Sequence, residues 1–196
     1  MNYAALALSL LTCVYIVTLP LTFFKSGVYN IKWLLTGAPF IGMAASHVFA
    51  AIADWQPQLP VSWWDTTTIV SVLLNAASIA IIAMTVGTHR IPLALWHQED
   101  DAPRSIVTYG PYARVRHPFY TAFIVYSFAG VLLFPHVITL VWLVYVLVAL
   151  NLTAAREERR LSASEFGAEY IAYKDTVGRF TPKLRAQKVD ASTTNR

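Results

Sequence analysis

Apolar residues fall in five long runs along this chain, separated by short polar or basic segments. The first runs roughly from Tyr3 to Phe24, with Pro20 near its end predicting a kink. The others run roughly from Trp33 to Ala53, Thr66 to Val86, Pro118 to Phe134 and His136 to Ala155. Each approaches the 20 or so residues that a helix needs to cross a bilayer core. Helices rather than strands are the expected spanning elements, because an open sheet edge cannot be satisfied in lipid. Only Phe134-Pro135-His136 separates the last two runs, which predicts a tight antiparallel hairpin. The first run has no basic segment before it and exceeds a typical signal-peptide core, so it reads as a retained span. The pattern predicts an all-α integral membrane protein with five transmembrane helices and a cytoplasmic C-terminal amphipathic helix.

Composition agrees. The 196 residues are 56% hydrophobic and only 13% charged, where a soluble domain carries about 25% charged residues. The net charge of +4 does not point to nucleic acid, because the basic residues cluster between apolar runs. Lys25 and Lys32 follow the first run, Arg90, Arg104, Arg114 and Arg116 follow the third, and a dense basic cluster follows the fifth. Neither lysine nor arginine lies between the second and third runs or in the Pro135 turn. This alternation predicts an N-terminus outside and a C-terminus in the cytoplasm. Trp55, Trp63 and Trp64 then form an outer interfacial belt, and segments 88–117 and 156–196 share the cytoplasmic face. Cys13 is the single cysteine, so no internal disulfide is available.

Ser162-Ala163-Ser164-Glu165 matches a capping box, predicting a helix from about Ala163 to Val177. Phe166, Tyr170, Tyr173 and Val177 would share one face, which packing against the bundle or the headgroup layer explains. Gly178 is the expected C-cap and Pro182 blocks continuation. The polar tail 184–196 is expected to be disordered.

Three constellations could carry chemistry. In Arg116-His117-Pro118-Phe119-Tyr120, Pro118 suits the first turn of a helix, and the N–H groups at that helix start could bind an anion. A snorkelling arginine and an interfacial histidine explain the same residues. Glu157-Glu158 at a helix C-terminus opposes the macrodipole unless the helix continues or a cation binds there. Arg156, Arg159 and Arg160 could neutralise the pair, or it could hold a positively charged ligand group. Both constellations lie at one membrane depth, an arrangement suited to a zwitterionic amino-acid headgroup. The segment 88–107 holds His89, His97, Glu99, Asp100 and Asp101, but their spacing fits no zinc pattern, so no metal is expected. It reads better as a lid or as one wall of a pocket. The sequence has no dinucleotide fingerprint, no phosphate-binding loop and no nucleophile elbow. His47 is the one midplane ionisable candidate, and Asn75 with the serines and threonines of the third run reads as interhelical glue.

These residues also form a recognisable set: Gly110 and Tyr112; Arg116, His117, Pro118 and Tyr120; Glu157 and Glu158; Phe166, Gly167, Glu169 and Tyr170; then Arg179 and Pro182. In this order, across the C-terminal half, they resemble the isoprenylcysteine carboxyl methyltransferase family, a relative of the membrane phospholipid N-methyltransferases. The resemblance implies S-adenosylmethionine as cofactor and a methyltransferase region at 88–183, following three N-terminal helices at 1–87. It implies that His97, Gln98, Arg104, Ser105, Ile106 and Val107 line the adenosine side. Gly110, Tyr112, His117, Pro118, Phe119 and Tyr120 would close around the cofactor, with Glu157 or Glu158 on its ammonium. Arg116, His117 and Arg156 are the candidates for the catalytic step.

The chain departs from the family pattern at Thr121-Ala122, where a glycine is common. It departs again at Asn151 and Thr153, where an arginine often precedes the glutamate pair. Those departures fall on the acceptor side. The expected acceptor is lipophilic or lipid-linked, with phospholipid N-methylation as the nearest alternative. A noncatalytic membrane subunit or small-molecule carrier is the rival of another class.

Overall fold

A computed structural model of the chain describes residues 2–22, 31–88 and 106–183. The predicted wall at 89–105, with His89, His97, Gln98, Arg104 and Ser105, and the tail 184–196 lie outside the described residues.

The described residues form six α-helices: α1 Tyr3–Thr22, α2 Ile31–Ile52, α3 Trp64–Thr88, α4 Pro118–Leu133, α5 Val137–Ser162 and α6 Gly167–Thr176. Short 3₁₀ turns at Val61–Trp63 and Gly110–Ala113 precede α3 and α4. Asn2 caps α1 by accepting the Ala5 N–H at 3.1 Å, and α1 continues past Pro20 to Thr22. Pro118 opens α4 as expected. His136 opens α5, its Nδ1 accepting the Ile138 N–H at 3.2 Å. The Gln58 amide oxygen accepts from Val137 N, and Gln58 N donates to Pro135 O at 2.7 Å, so the 53–60 segment is tied to the α4–α5 turn.

Three segments are long and apolar enough to cross a bilayer: Leu35–Ile52, Val61–Thr88 and Val137–Ser162. Tyr3–Leu19 and Pro118–Leu133 are shorter apolar helices. The bundle places polar residues inward. Thr67, Ser71, Asn75, Ser78 and Thr85 of α3 are all buried, while Ile69, Leu73 and Met84 are exposed. Their hydroxyls explain the inward placement: Ser71 donates to Ala129 O and Ser78 to Ala122 O, each at 2.8 Å, joining α3 to α4. In an apolar surround such bonds and small side chains bring helices together where the hydrophobic effect cannot.

Pro39 inside α2 removes the N–H that Leu35 O would accept. The Tyr145 hydroxyl of α5 donates to that carbonyl at 2.9 Å. Nearby, the Trp142 ring lies against Gly42, where an added Cβ would come within 2.5 Å of it, and Trp142 Nε1 donates to Ser46 Oγ. The apolar core joins Cys13, Ile16 and Leu19 of α1, Phe40 of α2, Ile82 of α3, Tyr120 and Tyr126 of α4, and Val146 and Leu150 of α5.

Two local expectations fail near the C-terminus. Ser162 does not cap a new helix. It ends α5, and its hydroxyl donates back to Glu158 O at 2.7 Å. The turn is built on Ser164, whose Oγ accepts the Phe166 N–H and whose carbonyl accepts the Gly167 N–H. α6 then begins at Gly167, where a Cβ would lie 2.5 Å from Ser162 O. Gly178 is not the C-cap either. Val177 holds that place in extended geometry, and Gly178 forms a parallel bridge with Val115.

Candidate functional site

The start of α4, the last turns of α5 and residues 177–180 converge on Glu158. Pairing of the segment before α4 with the segment after α6 creates this meeting. Arg116 N donates to Gly178 O at 2.8 Å and His117 N to Arg179 O at 3.1 Å, while Thr121 Oγ1 donates to Phe180 O. These bonds occupy the Arg116 and His117 N–H groups just before α4.

Glu158 is buried and saturated. Its Oε1 accepts from Arg116 Nη2 at 2.8 Å, Arg116 Nε at 3.1 Å and Arg179 Nε at 3.0 Å. Its Oε2 accepts from Arg179 Nη2 at 2.6 Å. The remaining Arg179 nitrogen, Nη1, donates to Asn151 Oδ1 at 2.7 Å. Arg116 Nη1 donates to Val177 O and Lys174 O, so the same guanidinium satisfies the C-terminal carbonyls of α6. The cations neutralising the glutamate therefore come from distant segments. Arg156, Arg159 and Arg160, the sequence-adjacent choices, are not its partners. With Glu158 compensated from outside its own helix, α5 continues to Ser162 and the expected stop at Ala155 is not observed.

Glu157 is held differently. Tyr120 Oη donates to its Oε1 at 2.7 Å, and His117 Nδ1 lies 3.4 Å from its Oε2. Its side chain keeps 21% of its exposure, against 4% for Glu158. His117 Nε2 sits 3.3 Å from Glu158 Oε1, so both ring nitrogens face carboxylates. Only the imidazolium can donate to both. Burial alone would lower the His117 value, but the bonds and charges of Glu157 and Glu158 outweigh it and raise it above the ordinary histidine range. The ring stacks parallel to Tyr120 at 5.3 Å between centroids.

Gly110 has a positive φ of 61°, and a Cβ there would meet Thr88 Oγ1 at 2.5 Å. This fit lets the 110–113 turn lie against the end of α3. Tyr173 Oη donates to Tyr112 O at 2.6 Å, fastening that turn to α6. Burial, then the Tyr173 and Glu157 charges, push the Tyr112 phenol well above its ordinary range, so it stays neutral. Ile106 packs on Tyr170, Tyr173 and Val177.

Of the sequence candidates, Arg116, His117, Tyr120, Glu157 and Glu158 meet directly, and Pro118 and Phe119 form the buried first turn beneath them. Arg156 is exposed and stays outside the cluster. Arg179 was not among the candidate site residues, yet it donates two bonds to Glu158, as many as Arg116 does. Its place in the Arg-x-x-Pro of the motif set was the available signal.

This constellation spans a stretch that a known family also covers. The model of the isoprenylcysteine carboxyl methyltransferase family matches residues 73–163. Over that stretch the chain is similar to that family. The match takes in most of α3, all of α4 and α5, and both glutamates, whereas Arg179 and α6 lie beyond it. No curated protein matches the chain. The match points to methyl transfer as the class of activity, and with the three spanning-length helices it supports an integral membrane protein.

Proposed function

We propose that the protein is a membrane methyltransferase that uses S-adenosylmethionine and acts on a lipophilic or lipid-linked acceptor. Glu157 carries this reading. It is a partly exposed carboxylate beside an aromatic wall, with fewer cationic partners than its neighbour. That donor set fits an ammonium group, which a carboxylate and the face of a tyrosine both stabilise. Glu158, already bound by two guanidiniums, is the positioning residue that holds Arg116 and Arg179 in place. Tyr112, His117, Pro118, Phe119 and Tyr120 would line the cofactor, and Gly110 would let the turn close over it. His97, Gln98 and Arg104 to Val107 would complete the adenosine side.

The cofactor supplies a methyl group on a sulfonium, already activated for displacement. The chain's task is then proximity and alignment. His117, the nearest base, is committed as an imidazolium between two carboxylates. An acceptor that needs no deprotonation, such as a carboxylate, suits this site better than an amine. The acceptor would enter sideways from the bilayer while the polar cofactor enters from the water. The reading assigns α1 to α5 as five spans, the N-terminus outside, and region 88–183 to the cytoplasmic face as the methyltransferase unit.

The test is transfer of a radiolabelled methyl group from S-adenosylmethionine in detergent, offered prenylcysteines and phosphatidylethanolamine in parallel. Label on the prenylcysteine that base releases as methanol is the expected result. Label on phosphatidylethanolamine would move the assignment to N-methylation. Transport of a small molecule without cofactor dependence would replace both with the carrier.

A further inference from the structure

A groove of about 430 Å³ lies between α5 and α6, lined by Ala155, Glu158, Arg159, Ser162, Ala163, Lys174 and Arg179. Three cations border it against one carboxylate. Glu158 has both oxygens engaged, and Arg179 has all three nitrogens engaged. Arg159 and the Lys174 ammonium have no ion-pair partner among the described residues, which leaves the groove with two uncompensated positive charges facing the same space.

A second observation concerns the approach to it. Val141, Val144, Val148 and Leu152 are each more than half exposed. Along α5, spacings of three and four residues put them on one helical face with Ala155 and Arg159. The stripe runs unbroken from near the Pro135 turn into the groove. From Val137 to Arg159 the helix rises about 33 Å at about 1.5 Å per residue. That exceeds the hydrocarbon thickness of about 30 Å, so Arg159 falls at headgroup depth.

We propose that this groove holds the phosphate-bearing head of an anionic membrane phospholipid, with its acyl chains lying along the Val141–Leu152 face of α5. Charge and depth both select this occupant. Arg159 and Lys174 complement a phosphate, and the stripe complements the chains only if the head is at the groove. Glu157 faces α4 on another side of the helix, so the lipid and the proposed cofactor site are separate.

Native mass spectrometry of the full chain, purified in detergent with equal phosphatidylglycerol and phosphatidylcholine, tests this. Wild-type protein is expected to retain phosphatidylglycerol preferentially. Arg159→Gln and Lys174→Gln should each reduce the preference about five-fold, and Arg160→Gln, off the groove, should leave it intact. S-adenosylmethionine binding by the Arg159→Gln/Lys174→Gln protein checks that it is folded and separates this idea from the methyltransferase reading. Equal retention of the two lipids, or an equal loss from Arg160→Gln, would overturn it. So would displacement of the lipid by glycerol phosphate, which would make the ligand a free phosphate, or by a prenylcysteine, which would make the groove the acceptor's seat.

Discussion

Glu157 and Glu158 are adjacent in the chain and equivalent in composition, yet burial and partners give them different work. Replacing Arg116 by alanine leaves a buried carboxylate with half its compensation, and such changes cost about 3–5 kcal/mol. Thermal melts of Arg116→Ala in detergent should therefore show a large loss. Glu157→Gln should melt close to wild type while binding S-adenosylmethionine about ten- to a hundred-fold more weakly, the scale of one charge-assisted hydrogen bond. His117 adds a pH dependence. Its raised value means its contribution to stability is complete below about 6.5 and is lost as pH rises through the raised value. Cofactor affinity should run the opposite way, since an imidazolium and a ligand ammonium compete for Glu157. Melting temperature and affinity followed across pH 6 to 9 check both slopes, and His117→Gln should flatten them.

At the scale of elements, the apolar runs were legible because a membrane span is written in one dimension. The starts of α3 and α4 lie within two residues of the expected positions. The end of α5 was not legible, because a dipole argument weighs only sequence neighbours. The charges that compensate Glu158 sit 42 and 21 residues away. The Ser162 capping box failed for a related reason: the hydroxyl had a nearer acceptor in the turn behind it. Gly178 was noticed as a helix stop but serves as a close-packed joint, where a Cβ would fall 1.8 Å from Thr181 O. Gly178→Ala should destabilise the protein by about 1–3 kcal/mol. It should also weaken cofactor binding, because it displaces Arg179 and the carbonyls that hold Arg116 and His117. Parallel melts and binding measurements on that variant test whether the joint supports the site.

For the whole molecule, the bundle buries hydroxyls and amides beside its apolar core and leaves many Val, Leu and Ile side chains exposed on its outside. The proposed five-span reading puts the Trp55–Trp64 segment and the 177–183 segment on opposite sides of the membrane. Single cysteines at Gln58 and Pro182, in a Cys13→Ala background, should react with an impermeant reagent from opposite faces of sealed vesicles. Labelling of both from one face would remove a span. The most direct test of the central claim is calorimetric titration of the detergent-purified protein with S-adenosylmethionine, with S-adenosylhomocysteine alongside. The expected result is micromolar binding of both ligands, lost or strongly weakened in Glu157→Gln. The absence of binding at millimolar cofactor, in a preparation with a cooperative melt, would contradict it and leave the arginine–glutamate cluster as scaffold alone.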